Sequence, residues 1–92
     1  MKKYVFDEHE YSLEKNYKDC FNKEDVEEKI TDYFYEFDYV VGDYAYDKLR
    51  LKGFYEKNSD KVSKINNIEN LDKYIEDYCA YGAKWFLLKK IK

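Results

Sequence analysis

The segment Lys48–Tyr55 reads KLRLKGFY, an alternation of basic and apolar residues with a period of two. Only a strand carries that period, because successive side chains leave opposite faces of the backbone. Leu49, Leu51 and Tyr55 then share one face, and Lys48, Arg50, Lys52 and Phe54 share the other. The preceding FDYVVGD, Phe37–Asp43, is rich in aromatic and β-branched residues and reads as a second strand. The short polar link Tyr44–Asp47 suits an antiparallel hairpin. Gly42 and Gly53 lie inside these strands, where a missing side chain signals a bulge or a close backbone approach.

Around this hairpin the chain alternates in type. Lys3–Asp7 and Tyr11–Tyr17 read as two short strands joined by a polar turn, Asp7–Glu10. Asn22 can cap a helix, with Asp25 placed to reach back and with Phe21 and Val26 at the spacing of a hydrophobic staple. Val26, Ile30, Tyr33, Phe34 and Phe37 fall on one helical face, which predicts a helix from Lys23 to about Glu36. Glu24, Asp25, Glu27 and Glu28 set negative charge near its positive end. Glu56–Asn67 is expected to be a loop and the most mobile part of the chain. A second helix is expected from near Asn70 to Gly82, with Leu71, Tyr74, Ile75, Tyr78 and Cys79 as its apolar face. The run Trp85-Phe86-Leu87-Leu88 within Ala83–Ile91 predicts a central strand covered on both faces. The order is ββαββαβ: an α+β fold with a mainly antiparallel sheet of about five strands and two helices packed on it, one domain over residues 1–92.

Composition narrows the function classes. The chain has 92 residues, a net charge of −3 and no Pro. An acidic balance argues against strong non-specific DNA binding. No apolar run reaches membrane-spanning length and the N-terminal stretch has no secretory core, so no membrane association and a cytoplasmic location are expected. Two cysteines, Cys20 and Cys79, are too few for a disulfide framework, and with the single His9 they fall short of a zinc set. No cofactor is expected, and there is no Walker loop, GxGxxG or Ser-His-Asp set.

The stretch Val41-Gly42-Asp43-Tyr44-Ala45-Tyr46-Asp47-Lys48-Leu49-Arg50-Leu51-Lys52-Gly53-Phe54-Tyr55 resembles the signature of the YutD-like proteins, small cytoplasmic proteins of Gram-positive bacteria and their relatives. That signature runs Val-Gly-Asp-Trp-Gly-Tyr, two variable residues, then Leu-Arg-Leu-Lys-Gly-Phe. Asp19-Cys20-Phe21-Asn22 and Leu71 through Gly82 are similar to two further family motifs, and the likeness extends over roughly Tyr11–Ile91. Tyr44 stands where the family usually has Trp, and Ala45 and Cys20 where it has Gly. The resemblance supports an α+β fold and implies neither an activity nor catalytic residues.

Two surfaces are the candidate sites. Lys48, Arg50 and Lys52 form a basic stripe, continued by Phe54 and able to draw in Lys84 and Lys90 from the last strand. Such a face suits the phosphates and bases of RNA or the carboxylates of a protein partner; its plain alternative is a solvated face paired with nearby acids. Asp43, Tyr44, Tyr46 and Asp47 form an aromatic-acidic hairpin tip that either contacts a partner or folds back over the sheet. His9 reads as a surface residue. Three roles follow: a non-catalytic module binding a protein or RNA through Asp43, Tyr44, Tyr46, Lys48, Arg50, Lys52 and Phe54; a small-molecule protein or enzyme with a pocket between sheet and helices; or a structural homodimer. A monomer or weak homodimer is expected.

Overall fold

The computed structural model describes residues 2–78 and 83–91. Its centre is a five-stranded, wholly antiparallel sheet in the order β1-β2-β5-β3-β4. The strands are β1 (Lys3–Phe6), β2 (His9–Tyr17), β3 (Tyr39–Ala45), β4 (Lys48–Phe54) and β5 (Lys84–Lys90). The helices are α1 (Lys23–Lys29), α2 (Asp32–Tyr35) and α3 (Leu71–Tyr78), the last entered through a 3₁₀ turn, Ile68–Asn70.

The central position of β5 follows from its sequence. Phe86 and Leu88 enter one apolar cluster and Leu87 the other, so the uninterrupted run is buried from both sides, as expected. The first cluster, beneath α1 and α2, holds Phe6, Tyr11, Val26, Ile30, Tyr35, Val40 and Leu49. The second, beneath α3, holds Val41, Phe54 and Leu71, with Tyr74 and Ile75 packed against it. Helices therefore lie on both faces, which is where two expectations change. The alternation of β4 places Phe54 on the solvent side, yet it is 1% exposed, because α3 crosses that face and Tyr74 meets its ring edge-on at 5.4 Å. The sequence also suggests that Lys84 and Lys90 join the basic stripe. Lys84 pairs with Tyr44, and Lys90 donates to the Tyr35 carbonyl of α2, so both belong to the opposite face.

The first helix is also shorter than its periodicity predicts. Asn22 caps it as expected, its side chain accepting from the Asp25 amide at 3.0 Å. The helix stops at Ile30, whose backbone is extended, and restarts after Thr31. Two consecutive β-branched residues favour that break. The restart turns Tyr35 into the core and leaves Tyr33, predicted to be inward, 64% exposed.

At the second helix, the Asn67 side chain caps the 3₁₀ turn, so helical structure begins before the expected Asn70. The expectations for Cys79 and Gly82 lie outside the described residues. The loop after β4 is tied at its base: the Tyr55 amide donates to the Asn66 carbonyl at 2.7 Å, and the Ile68 amide donates to Tyr55 at 3.0 Å. No helix among the described residues is long and apolar enough to cross a membrane.

Candidate partner-binding surface

The hairpin β3–β4 carries most of the candidate residues, and both its glycines are explained by packing. A side chain at Gly42 would begin 2.1 Å from the Phe86 ring, and one at Gly53 would begin 2.2 Å from the Phe37 ring. Each glycine is thus a seat for a ring, the close approach the sequence suggested. The turn is tighter than the four-residue link predicted. Ala45 pairs with Lys48, leaving only Tyr46 and Asp47 between the strands, at φ of 54° and 64°. Two left-handed residues match the twist of the flanking strands, the requirement of a type I′ hairpin, which ordinarily recruits Asn and Gly.

The four residues assigned to the tip separate into three environments. Tyr46 is 98% exposed and Asp47 is exposed beside it. Tyr44 folds back and donates its hydroxyl to the Asp25 carboxylate of α1 at 2.7 Å. Burial first, and then that bond, push its phenol well above the ordinary tyrosine range. Asp43 is not at the tip at all: it sits inside β3 and is 1% exposed. Arg50, its cross-strand neighbour, approaches one Asp43 carboxylate oxygen with Nε at 3.1 Å and Nη2 at 2.5 Å.

The basic stripe is therefore anchored from below. The Arg50 side chain remains 48% exposed while its carboxylate partner is buried. Lys52 lies with its ammonium 5.3 Å from the Phe54 ring centre and 5.8 Å from that of Tyr74. Lys48 is exposed at the turn. The register extends this row in a way the sequence did not signal. Asp43 pairs with Trp85, and Trp85 with Tyr17, so Arg50, Asp43, Trp85 and Tyr17 line up across four strands. Tyr17 and Trp85 stack at 6.1 Å, and Tyr17 is 49% exposed. Only strand pairing brings these rings beside the stripe; their sequence positions gave no sign of it.

Among the described residues there is no cluster of His, Cys, Asp and Glu able to hold a metal. Burial pushes the Cys20 thiol up, the opposite of nucleophile activation. His9 opens β2 and stacks on Tyr35 at 4.0 Å. An open cleft of about 480 Å³ lies between hairpin and α1, lined by Cys20, Asn22, Asp25, Tyr44, Tyr46 and Lys84 among others. The Tyr44 hydroxyl and the Asp25 carboxylate that face it are bonded to one another.

Comparison with known proteins gives a consistent result. The family described as "Putative antitoxin YutD-like" matches residues 5–89. The chain is 41% identical over 83 residues to a Bacillus subtilis (strain 168) protein carrying the description "Putative antitoxin YutD", covering 90% of this chain and 91% of that one. The solution NMR structure of protein yutD from B. subtilis superposes with a TM-score of 0.82 at 37% identity, covering all of this chain (100%) and 84% of that one.

Proposed function

The chain belongs to the YutD-like family, and from that premise we propose that it is a non-catalytic cytoplasmic module that binds a protein partner through the β3–β4 hairpin. The observation that carries this reading is Tyr46. It is an aromatic residue 98% exposed, held at a φ of 54° by a turn that would be less strained with Asn or Gly. Its ring is almost wholly in solvent among the described residues, so burial there gives the fold little from it. Rigidly presented, exposed aromatics are typical anchors of protein interfaces. The hairpin beneath it is stiffened by the Tyr44–Asp25 and Arg50–Asp43 bonds, which limits the entropy lost on docking.

A protein fits this surface better than RNA. The Arg50 charge is already met by a buried carboxylate, and the chain is acidic overall with a net charge of −3. The antitoxin description borne by the family and by the B. subtilis protein supports the same choice, since it suggests a protein target. In affinity capture from the host cytoplasm, followed by titration of the purified target, Tyr46→Ser should weaken binding about thirtyfold, the loss of one central aromatic anchor. Lys48→Glu should add to that loss. Equal capture by the native chain and both variants, all folded by circular dichroism, would sink the reading.

A further inference from the structure

The outer edge of β4 is open among the described residues. Among the described residues, Lys48–Phe54 make no backbone–backbone hydrogen bond outside the sheet ladder, and β4 is the last strand in the order. Immediately beyond it the edge is used: Asn66 and Ile68 bond to both sides of Tyr55, and Asn67 forms a parallel bridge with it. The chain thus pairs one residue of this edge with its own loop and, among the described residues, leaves the outer side of the preceding seven-residue strand without a backbone partner. Beside that strand runs a groove of about 450 Å³. Tyr33, Phe34 and Phe37 line one wall; Ile65 and Tyr74 line the other. Tyr33 and Ile65 are two of the most exposed large apolar residues of the molecule, at 64% and 76%.

We infer that this groove receives an extended segment of the protein partner, which adds to β4 as a sixth strand and alternates carboxylate with apolar side chains. The alternation follows from the two faces of β4. A strand laid beside it projects every second side chain along the row of Arg50, already bonded to Asp43, and over Lys52, with Lys64 further along the same side. The one carboxylate lining this stretch among the described residues, Asp77, is paired with Lys73 at 3.5 Å, so Lys52 and Lys64 favour Asp or Glu there. The intervening side chains fall toward Leu51, Gly53 and the rings of Tyr33, Phe34 and Phe37, where apolar groups are favoured. Main-chain bonds supply affinity and the alternate pockets supply choice of sequence.

A second copy of the chain is a poor occupant. Pairing β4 with β4 would set Lys48, Arg50 and Lys52 against the same residues, and like charges facing across a ladder repel. The same side chains guard the edge against self-association and select an acidic strand.

The inference rests on the protein-binding reading, but its test is separate from that of the hairpin tip. The isotope-labelled chain is titrated with an octapeptide alternating Glu and Val, with its Lys-for-Glu counterpart, and with the Glu–Val peptide N-methylated at alternate residues. The Glu–Val peptide should shift the amides of Lys48–Phe54 and slow their hydrogen exchange. The other two peptides, and the Lys52→Glu chain, should each bind at least tenfold more weakly. Unchanged amides in β4, equal binding of the Lys peptide, or sedimentation showing that the chain self-pairs along this edge would overturn it. If the octapeptide binds while Tyr46→Ser leaves capture of the partner intact, the tip reading alone has failed. If Tyr46→Ser abolishes capture while the octapeptide leaves β4 unmoved, the edge inference alone has failed.

Discussion

The two hairpins at the outer edges of the sheet are built alike and finished differently. Each turns through two residues at positive φ, Asp7 and Glu8 in β1–β2 and Tyr46 and Asp47 in β3–β4. The first ends in two acids, and its edge strand spans only four residues, too short to offer much to another chain. The second has an edge strand of seven residues, a bare aromatic at its turn and a groove of aromatic and basic residues alongside. Stability does not require those additions, since the first hairpin closes the same turn without them. The difference therefore separates what holds the sheet from what is presented to a partner.

The sharpest way to break the comparison is at the ring seats, which only the second hairpin has. Gly42→Ala places a methyl 2.1 Å from the Phe86 ring, itself fully buried between α1 and the sheet. Overpacking of that kind should cost about 3 kcal/mol, read as a lower urea midpoint. Ser12→Ala in β2 removes only a hydroxyl bonded to Glu14 at 2.7 Å and should cost about 1 kcal/mol. Similar losses from the two substitutions would remove the claim that the second hairpin is the more tightly seated.

Next in size is the ion pair beneath the stripe. Arg50→Met leaves the Asp43 carboxylate buried without the guanidinium that donates to it, and should cost about 2 kcal/mol, less than a fully buried pair because the guanidinium is 48% exposed. Asp43→Asn should cost less, as the half-exposed guanidinium can turn to water. A double-mutant cycle measures the coupling; a value near zero would show that the pair is ornamental and that Arg50 serves only the surface.

Much of this was legible in the sequence. Periodicity identified five strands in order, the Asn22 cap, and β5 as the covered strand, because those signals are local. The α+β architecture followed from their order. What escaped was set by elements far apart in the chain. Phe54 obeys the alternation of β4, yet its face is closed by α3, seventeen or more residues later. Asp43 reads as a tip residue if the turn is four residues long; the tighter two-residue turn draws it into the ladder opposite Arg50. The row from Arg50 to Tyr17 and the groove beside β4 exist only once strands and loops are placed, so no local pattern announces them.

The smallest effect discriminates most directly between structure and recognition. Replacing Tyr46 and Asp47 together (Tyr46→Asn, Asp47→Gly) relieves two left-handed side-chain residues, and should raise stability by about 1 kcal/mol. The matching change in the first hairpin (Asp7→Asn, Glu8→Gly) relieves the same two conformations and should gain a similar amount. Thermal unfolding would then show the two variants moving together by a few degrees. Binding would show them moving apart, with the partner lost only from the chain whose Tyr46 is gone. If the Tyr46 variant instead lost stability, the ring would be holding the hairpin, and its full exposure would have been the wrong ground for assigning it to a partner.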